Sequence, residues 1–167
     1  MTVYCFPPNR RSVHCFERLE AEQAGEMIVK DVYFREGPDA IKAKLRDVQS
    51  AQPHSCELDN GEPMQCMAGR GQFWMTWNGT MTPCAMLLHP VAHPFEDGFT
   101  AAWEDLRKAC EPIRLCPECA NCPDQRSCMN CAAVTFAETG RFDGKPEYMC
   151  RLNRGYLNAL SKLAEDL

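Results

Sequence analysis

The densest chemistry in the chain is a run of sulfur: Cys116-Pro-Glu-Cys119-Ala-Asn-Cys122-Pro-Asp-Gln-Arg-Ser-Cys128-Met-Asn-Cys131. Two-residue gaps put cysteine side chains on the same side of a tight turn. Thiolates held that close repel one another, so the arrangement makes sense where a metal or a cluster neutralises them. Upstream, Cys66 is followed after twelve residues by Gly79, and four residues later by Cys84. A hairpin across that interval brings its ends together, so Cys66 and Cys84 face one site and Gly79 serves as the turn residue. Downstream, Cys150 falls in the first turn of the last helix, where unbonded N–H groups and the positive dipole end favour a thiolate. Spacing alone does not name the metal, because a Cys₄ zinc site uses the same ligands as an iron–sulfur cluster.

The elements that must position these sulfurs can be read along the chain. Val3, Tyr4, Cys5 and Phe6 belong to a short apolar strand over 2–6 that stops at Pro7-Pro8. A helix is expected over about 16–34, with Leu19, Met27, Ile28 and Phe34 on one side, stopped by Gly37-Pro38. Pro38 opens a second helix to about Gln49, with a stripe of Ile41, Leu45 and Val48. Residues 53–63 are loop. Over 72–84, Phe73, Met75 and Trp77 alternate with Gln72, Trp74 and Thr76, and Asn78-Gly79 predicts a type I′ turn. A helix over 98–111 places Phe99, Ala102, Trp103, Leu106, Ala109 and Cys110 on one face, and Pro112 closes it. Residues 116–131 form a cysteine-rich loop. A short helix over 132–138 ends at Gly140, and Pro146 opens a last helix to about Ala164, with Met149, Leu152, Tyr156, Leu160 and Leu163 inward.

Composition narrows the functions. The 167 residues carry a formal net charge of −5 and no Lys/Arg-rich run, which argues against a nucleic-acid partner. Twelve cysteines are far above the usual share. No positively charged start followed by an apolar stretch marks a secretory signal, so a reducing cytoplasm is the expected location and disulfides are not expected. The longest uncharged stretch, Gly71 to Phe95, is broken by Pro83, Pro90 and Pro94, so no membrane span is expected. Pro90 and Pro94 also rule out a helix bearing His89 and His93 as paired ligands. No Ser/His/Asp set, phosphate-binding loop or dinucleotide fingerprint is evident.

The full order is Cys66-x12-Gly79-x4-Cys84, a gap, Cys119-x2-Cys122-x5-Cys128-x2-Cys131, a gap, then Cys150. This resembles the SPASM domain, the auxiliary-cluster domain at the C-terminus of many radical S-adenosylmethionine enzymes that modify peptides and proteins. All seven cysteines of the pattern are present, over about half of the chain. The gap between Cys128 and Cys131, often three residues in the family, is two here. The resemblance implies a small, loop-rich α+β fold, with a β-hairpin at about 72–84 and helices around two metal-cluster sites. It implies two 4Fe–4S clusters with interleaved ligands. Cys66, Cys84 and Cys131 would hold the first, and Cys119, Cys122, Cys128 and Cys150 the second. Some relatives supply a fourth ligand to the first cluster six residues after the first cysteine, where Gln72 stands here. Cys116 is the candidate in its place, and otherwise that site stays open.

The CxxxCxxC loop that binds S-adenosylmethionine through a cluster is missing, since Cys5, Cys15 and Cys56 are too far apart. The opening Val3 to Arg11 resembles the end of a radical S-adenosylmethionine barrel's last strand. Three regions are therefore expected: 1–60 as a barrel remnant with linker helices, 61–151 as the cluster-binding domain, and 152–167 as the rest of the last helix. The chain would be the C-terminal portion of a larger enzyme, as a split gene, a fragment or a subunit. Its partners would be a radical S-adenosylmethionine core, which alone supplies S-adenosylmethionine, and a peptide or protein substrate. It is not expected to be catalytic alone. Two other readings stand beside this one: a zinc-stabilised interaction module without redox activity, and a free-standing electron carrier. On an apolar helix face, Cys110 reads as a packing thiol. Phe73, Trp74, Met75 and Trp77 read as core and cluster cover.

Overall fold

The computed structural model describes residues 19–50, 63–64 and 66–167. In chain order its elements are α1 (Ala21–Glu36), α2 (Pro38–Ser50), β1 (Trp74–Met75), β2 (Met81–Thr82), α3 (Pro94–Asp97), α4 (Phe99–Cys110), α5 (Pro117–Ala120), α6 (Ala132–Thr139) and α7 (Glu147–Glu165). The fold is mostly helical with one two-stranded antiparallel sheet, broadly α+β. Among the described residues no helix is long and apolar enough to cross a membrane. The expected strand over 2–6 and Cys5, Cys15 and Cys56 lie outside the described residues. The chain divides into two compact units. One comprises described residues 19–50 with Asn121–Asn130 and Pro146–Leu167; the other comprises 63–64 and 66–120 with Cys131–Lys145.

The first unit is built on α1, α2 and α7. Val29, Val32, Ile41 and Leu160 form its core, with Leu45, Val48, Tyr156 and Leu163 packed around them. The stripes expected on α2 and α7 are those that turn inward. On α1 the buried face differs from the expected one: Ala21, Ala24, Gly25, Val29 and Val32 are buried, whereas Leu19, Met27 and Phe34 are exposed. The cause is close helix contact. A Cβ on Gly25 would stand 2.2 Å from the Leu152 carbonyl oxygen, and one on Gly155 2.4 Å from that of Glu22. Small residues let the backbones of α1 and α7 approach, so the seam follows them rather than the large apolar side chains. Arg151 of α7 donates to the Glu22 carboxylate at 2.8 and 2.9 Å and to Glu20 at 3.2 Å, and Tyr148 Oη donates to the Leu19 carbonyl at 2.9 Å. The segment 121–130 is fastened to α7 by buried Asn153, whose amide donates to Ser127 Oγ at 3.3 Å.

The second unit has little regular structure apart from α4 and α6. β1 and β2 pair with Trp74 opposite Thr82 and Met75 opposite Met81. The turn is wider than the expected type I′. Thr76 N–H donates to the Thr80 carbonyl at 2.9 Å and Gly79 N–H to the Thr76 carbonyl at 3.0 Å, which leaves Trp77, Asn78 and Gly79 as a three-residue connection. Only its last residue, Gly79, takes a left-handed φ, of 82°, as in hairpins that follow a type I turn with one left-handed residue. Thr76 Oγ1 selects this form by bonding Asn78 Oδ1 and the Thr80 carbonyl. The aromatic stripe does not enter the core: Trp77 is 98% exposed, and Trp74 and Phe73 are also exposed. Met81, Thr82 and Leu106 are the fully buried side chains of β2 and α4. On α4 the buried face is Ala102, Leu106 and Cys110, and Ala109 faces water. Within the expected loop 116–131, residues 117–120 wind into the single turn α5. Gly140, with φ 74°, caps α6 by donating its N–H to the Phe136 carbonyl at 2.9 Å, the left-handed cap its position implies.

Candidate metal centre

None of the nine described cysteines is in a disulfide. In the second unit, Cys66 lies just before a tight turn in which the amides of Arg70, Gly71 and Gln72 all donate to the Met67 carbonyl. Cys84 lies just beyond β2. Its sulfur accepts the Leu87 N–H at 3.2 Å, and its carbonyl accepts the Thr82 hydroxyl at 3.1 Å. An amide aimed at a cysteine sulfur stabilises the thiolate and is a common support for a ligating cysteine. Cys131 is the N-cap residue of α6. Burial pushes its thiol above the usual range, and the charges of Cys84 and Cys66 push it further. No side-chain cap hydrogen bond closes there, yet the amides of Val134 and Ala133 act in the opposite direction and lower it.

Cys110, read on sequence grounds as a packing thiol, is buried on α4. It is 3% exposed, and its thiol is pushed up to about 11 by burial first, then by the charges of Cys66 and Cys84. Cys116, the residue expected near this group, is fully buried, and its sulfur lies 3.0 Å from that of Cys119. The Cys119 N–H donates to the Cys116 sulfur at 3.3 Å. That pair belongs to the second unit.

In the first unit, Cys122 and Cys128 bracket a compact loop. Gln125 N–H donates to the Cys122 carbonyl at 3.1 Å, and Cys128 N–H to the Asp124 carbonyl at 3.0 Å. Cys150 stands in the first turns of α7, its N–H bonded to the Pro146 carbonyl at 3.1 Å. Burial raises the Cys128 thiol above its ordinary value; the Asn130 amide lowers it; the charges of Cys150, Cys122 and Asp124 raise it again.

Cysteine binds metal as the thiolate, so a cation bound here would release the thiol protons. Among the described residues no three Cys, His, Asp or Glu side chains converge tightly enough to chelate a single ion. A single tetrahedral zinc draws its sulfurs to about 3.8 Å from one another, given a Zn–S bond of about 2.3 Å. A four-iron cube binds each thiolate to a different iron and holds them farther apart. The thiol donors are of the kind that hold zinc or iron–sulfur clusters as thiolates. His89 and His93 sit in loop and at the start of α3, and the His89 ring lies 5.9 Å from that of Phe136. No family model, curated protein or solved structure matches the chain.

Proposed function

We propose that the chain is an iron–sulfur module of the SPASM type, carrying two 4Fe–4S clusters for a radical S-adenosylmethionine partner that modifies a peptide or protein. Cys66, Cys84 and Cys131 would contribute to one cluster, and Cys122, Cys128 and Cys150 to the other. What supports this reading is the order and spacing of the seven cysteines Cys66, Cys84, Cys119, Cys122, Cys128, Cys131 and Cys150. Bound there, a cluster would supply one-electron chemistry, at a potential set by burial and by hydrogen bonds to its sulfurs. The protein's own part is to orient the thiolates and to bring the Leu87 amide onto the Cys84 sulfur. Lacking CxxxCxxC, the chain would serve its partner by positioning substrate and passing electrons.

Anaerobic reconstitution of the full chain tests this. The expected product is brown and holds about eight irons and about eight sulfides per chain, from two four-iron clusters. It releases no deoxyadenosine from S-adenosylmethionine. A colourless protein that takes zinc and no iron would favour the interaction-module reading and overturn this one.

A further inference from the structure

We propose that the Cys110 sulfur is the fourth protein ligand of the cluster held by Cys66, Cys84 and Cys131. This rests on the reading of the chain as a holder of two four-iron clusters, and it completes the site left one ligand short by Gln72.

The placement is geometric. Cys110 is the last residue of α4, the helix that packs against β2, and β2 leads through Pro83 directly into Cys84. The turn after Cys66 reaches the same point from the other side. Gly69, three residues on, adopts φ 66°, and a Cβ there would meet the Cys110 sulfur at 2.3 Å, the Cys110 Cβ at 2.9 Å and the Pro83 Cβ at 3.6 Å. The Cys110 side chain thus lies between the chain just after Cys66 and the chain just before Cys84, in space that exists because residue 69 has no side chain. Cys110 is 3% exposed. Cys116 has the opposite placement, with its sulfur 3.0 Å from that of Cys119. As a ligand Cys110 gives up its proton to solvent, forms one Fe–S bond, and displaces the exchangeable ligand from the fourth iron. The resulting cluster is closed: it passes electrons and offers no iron to a substrate.

The test uses the reconstituted full chain, wild type, Cys110→Ala, Cys110→Ser and Cys116→Ala, titrated with ferricyanide and followed by electron paramagnetic resonance and iron counts. An iron without a protein ligand leaves first. The wild type and Cys116→Ala should keep their clusters at a dose where both Cys110 variants lose about one iron in eight and show a three-iron signal. Addition of a small thiol should suppress that loss. If Cys116→Ala gives the three-iron signal and the Cys110 variants do not, the assignment is overturned. The wild type alone supplies a second measurement, which does not depend on how a variant folds. Labelled cyanide should show no hyperfine coupling to the reduced wild-type clusters, and coupling would reveal an open iron and overturn the closed site. A wild type that binds no iron overturns the cluster reading itself, and this assignment with it. Full loading with indistinguishable Cys110 variants overturns the assignment alone.

Discussion

The two units reach compactness by different means. The first buries Val29, Val32, Ile41 and Leu160 between three helices, and Gly25 and Gly155 bring α1 and α7 into backbone contact. The second has a sheet of two residues per strand, one long helix and a chain of turns, with cysteines among its buried residues. Helices with a continuous apolar seam need no further fastening. The second unit also buries apolar side chains, among them Met81, Leu106, Ile113 and Val134, and thiolate–metal bonds would add order to its turns when a metal binds. The difference teaches that substitutions in the first unit act through sterics and burial, and those in the second through the backbone of its turns and through its sulfurs.

The largest effect sharpens the first half of that comparison. Gly155→Val places a branched side chain where even a Cβ stands 2.4 Å from the Glu22 carbonyl oxygen. Urea unfolding should show a loss of about 3 kcal/mol or more, with weaker helical circular dichroism. An effect below about 1 kcal/mol would mean that α1 and α7 do not meet at this seam.

Next in size is Gly79→Ala. Its φ of 82° suits glycine, and an added Cβ would stand 2.9 Å from the Phe95 ring. A loss of about 1–2 kcal/mol is expected. The same change at Gly155 should cost more, because there the obstacle is backbone rather than a movable ring.

The smallest effect concerns the exposed Glu22–Arg151 pair. The Arg151 guanidinium holds the Glu22 carboxyl below its ordinary 4.5, chiefly by a side-chain hydrogen bond. A depressed carboxylate gives stability that is fully present above 4.5 and is lost as pH falls through the lower folded value. Arg151→Ala should therefore shift the urea midpoint slightly at neutral pH, less in high salt, and not at all in strong acid. A shift that persists in acid would assign the loss to the packing of the arginine stem.

How far the sequence foretold this molecule depends on which side chains speak. α2 and α7 were legible because Ile41, Leu45, Val48, Met149, Leu152 and Leu160 are large and periodic, and α6 because Gly140 is the cap its position implies. The buried face of α1 was not legible, because Ala21, Ala24 and Gly25 carry no hydropathic signal, and closeness rather than hydrophobicity selects them. The turn type was missed because the decisive group is the Thr76 hydroxyl, a neighbour of the Asn78-Gly79 signal rather than part of it. The hairpin within 72–84 was legible from the Asn78-Gly79 pair. Cys110 was legible as a buried residue on the apolar face of α4; its contact with Gly69 and Pro83 was not, because neither residue carries a hydropathic signal.

The most direct test of the central claim compares reconstituted Cys84→Ala, in the second unit, with Cys122→Ala, in the first. If each unit contributes to a separate four-iron site, each variant should keep about four irons and the double variant almost none. Should either single variant keep all its iron, or lose all of it while its helical circular dichroism stays intact, two separate clusters would be contradicted.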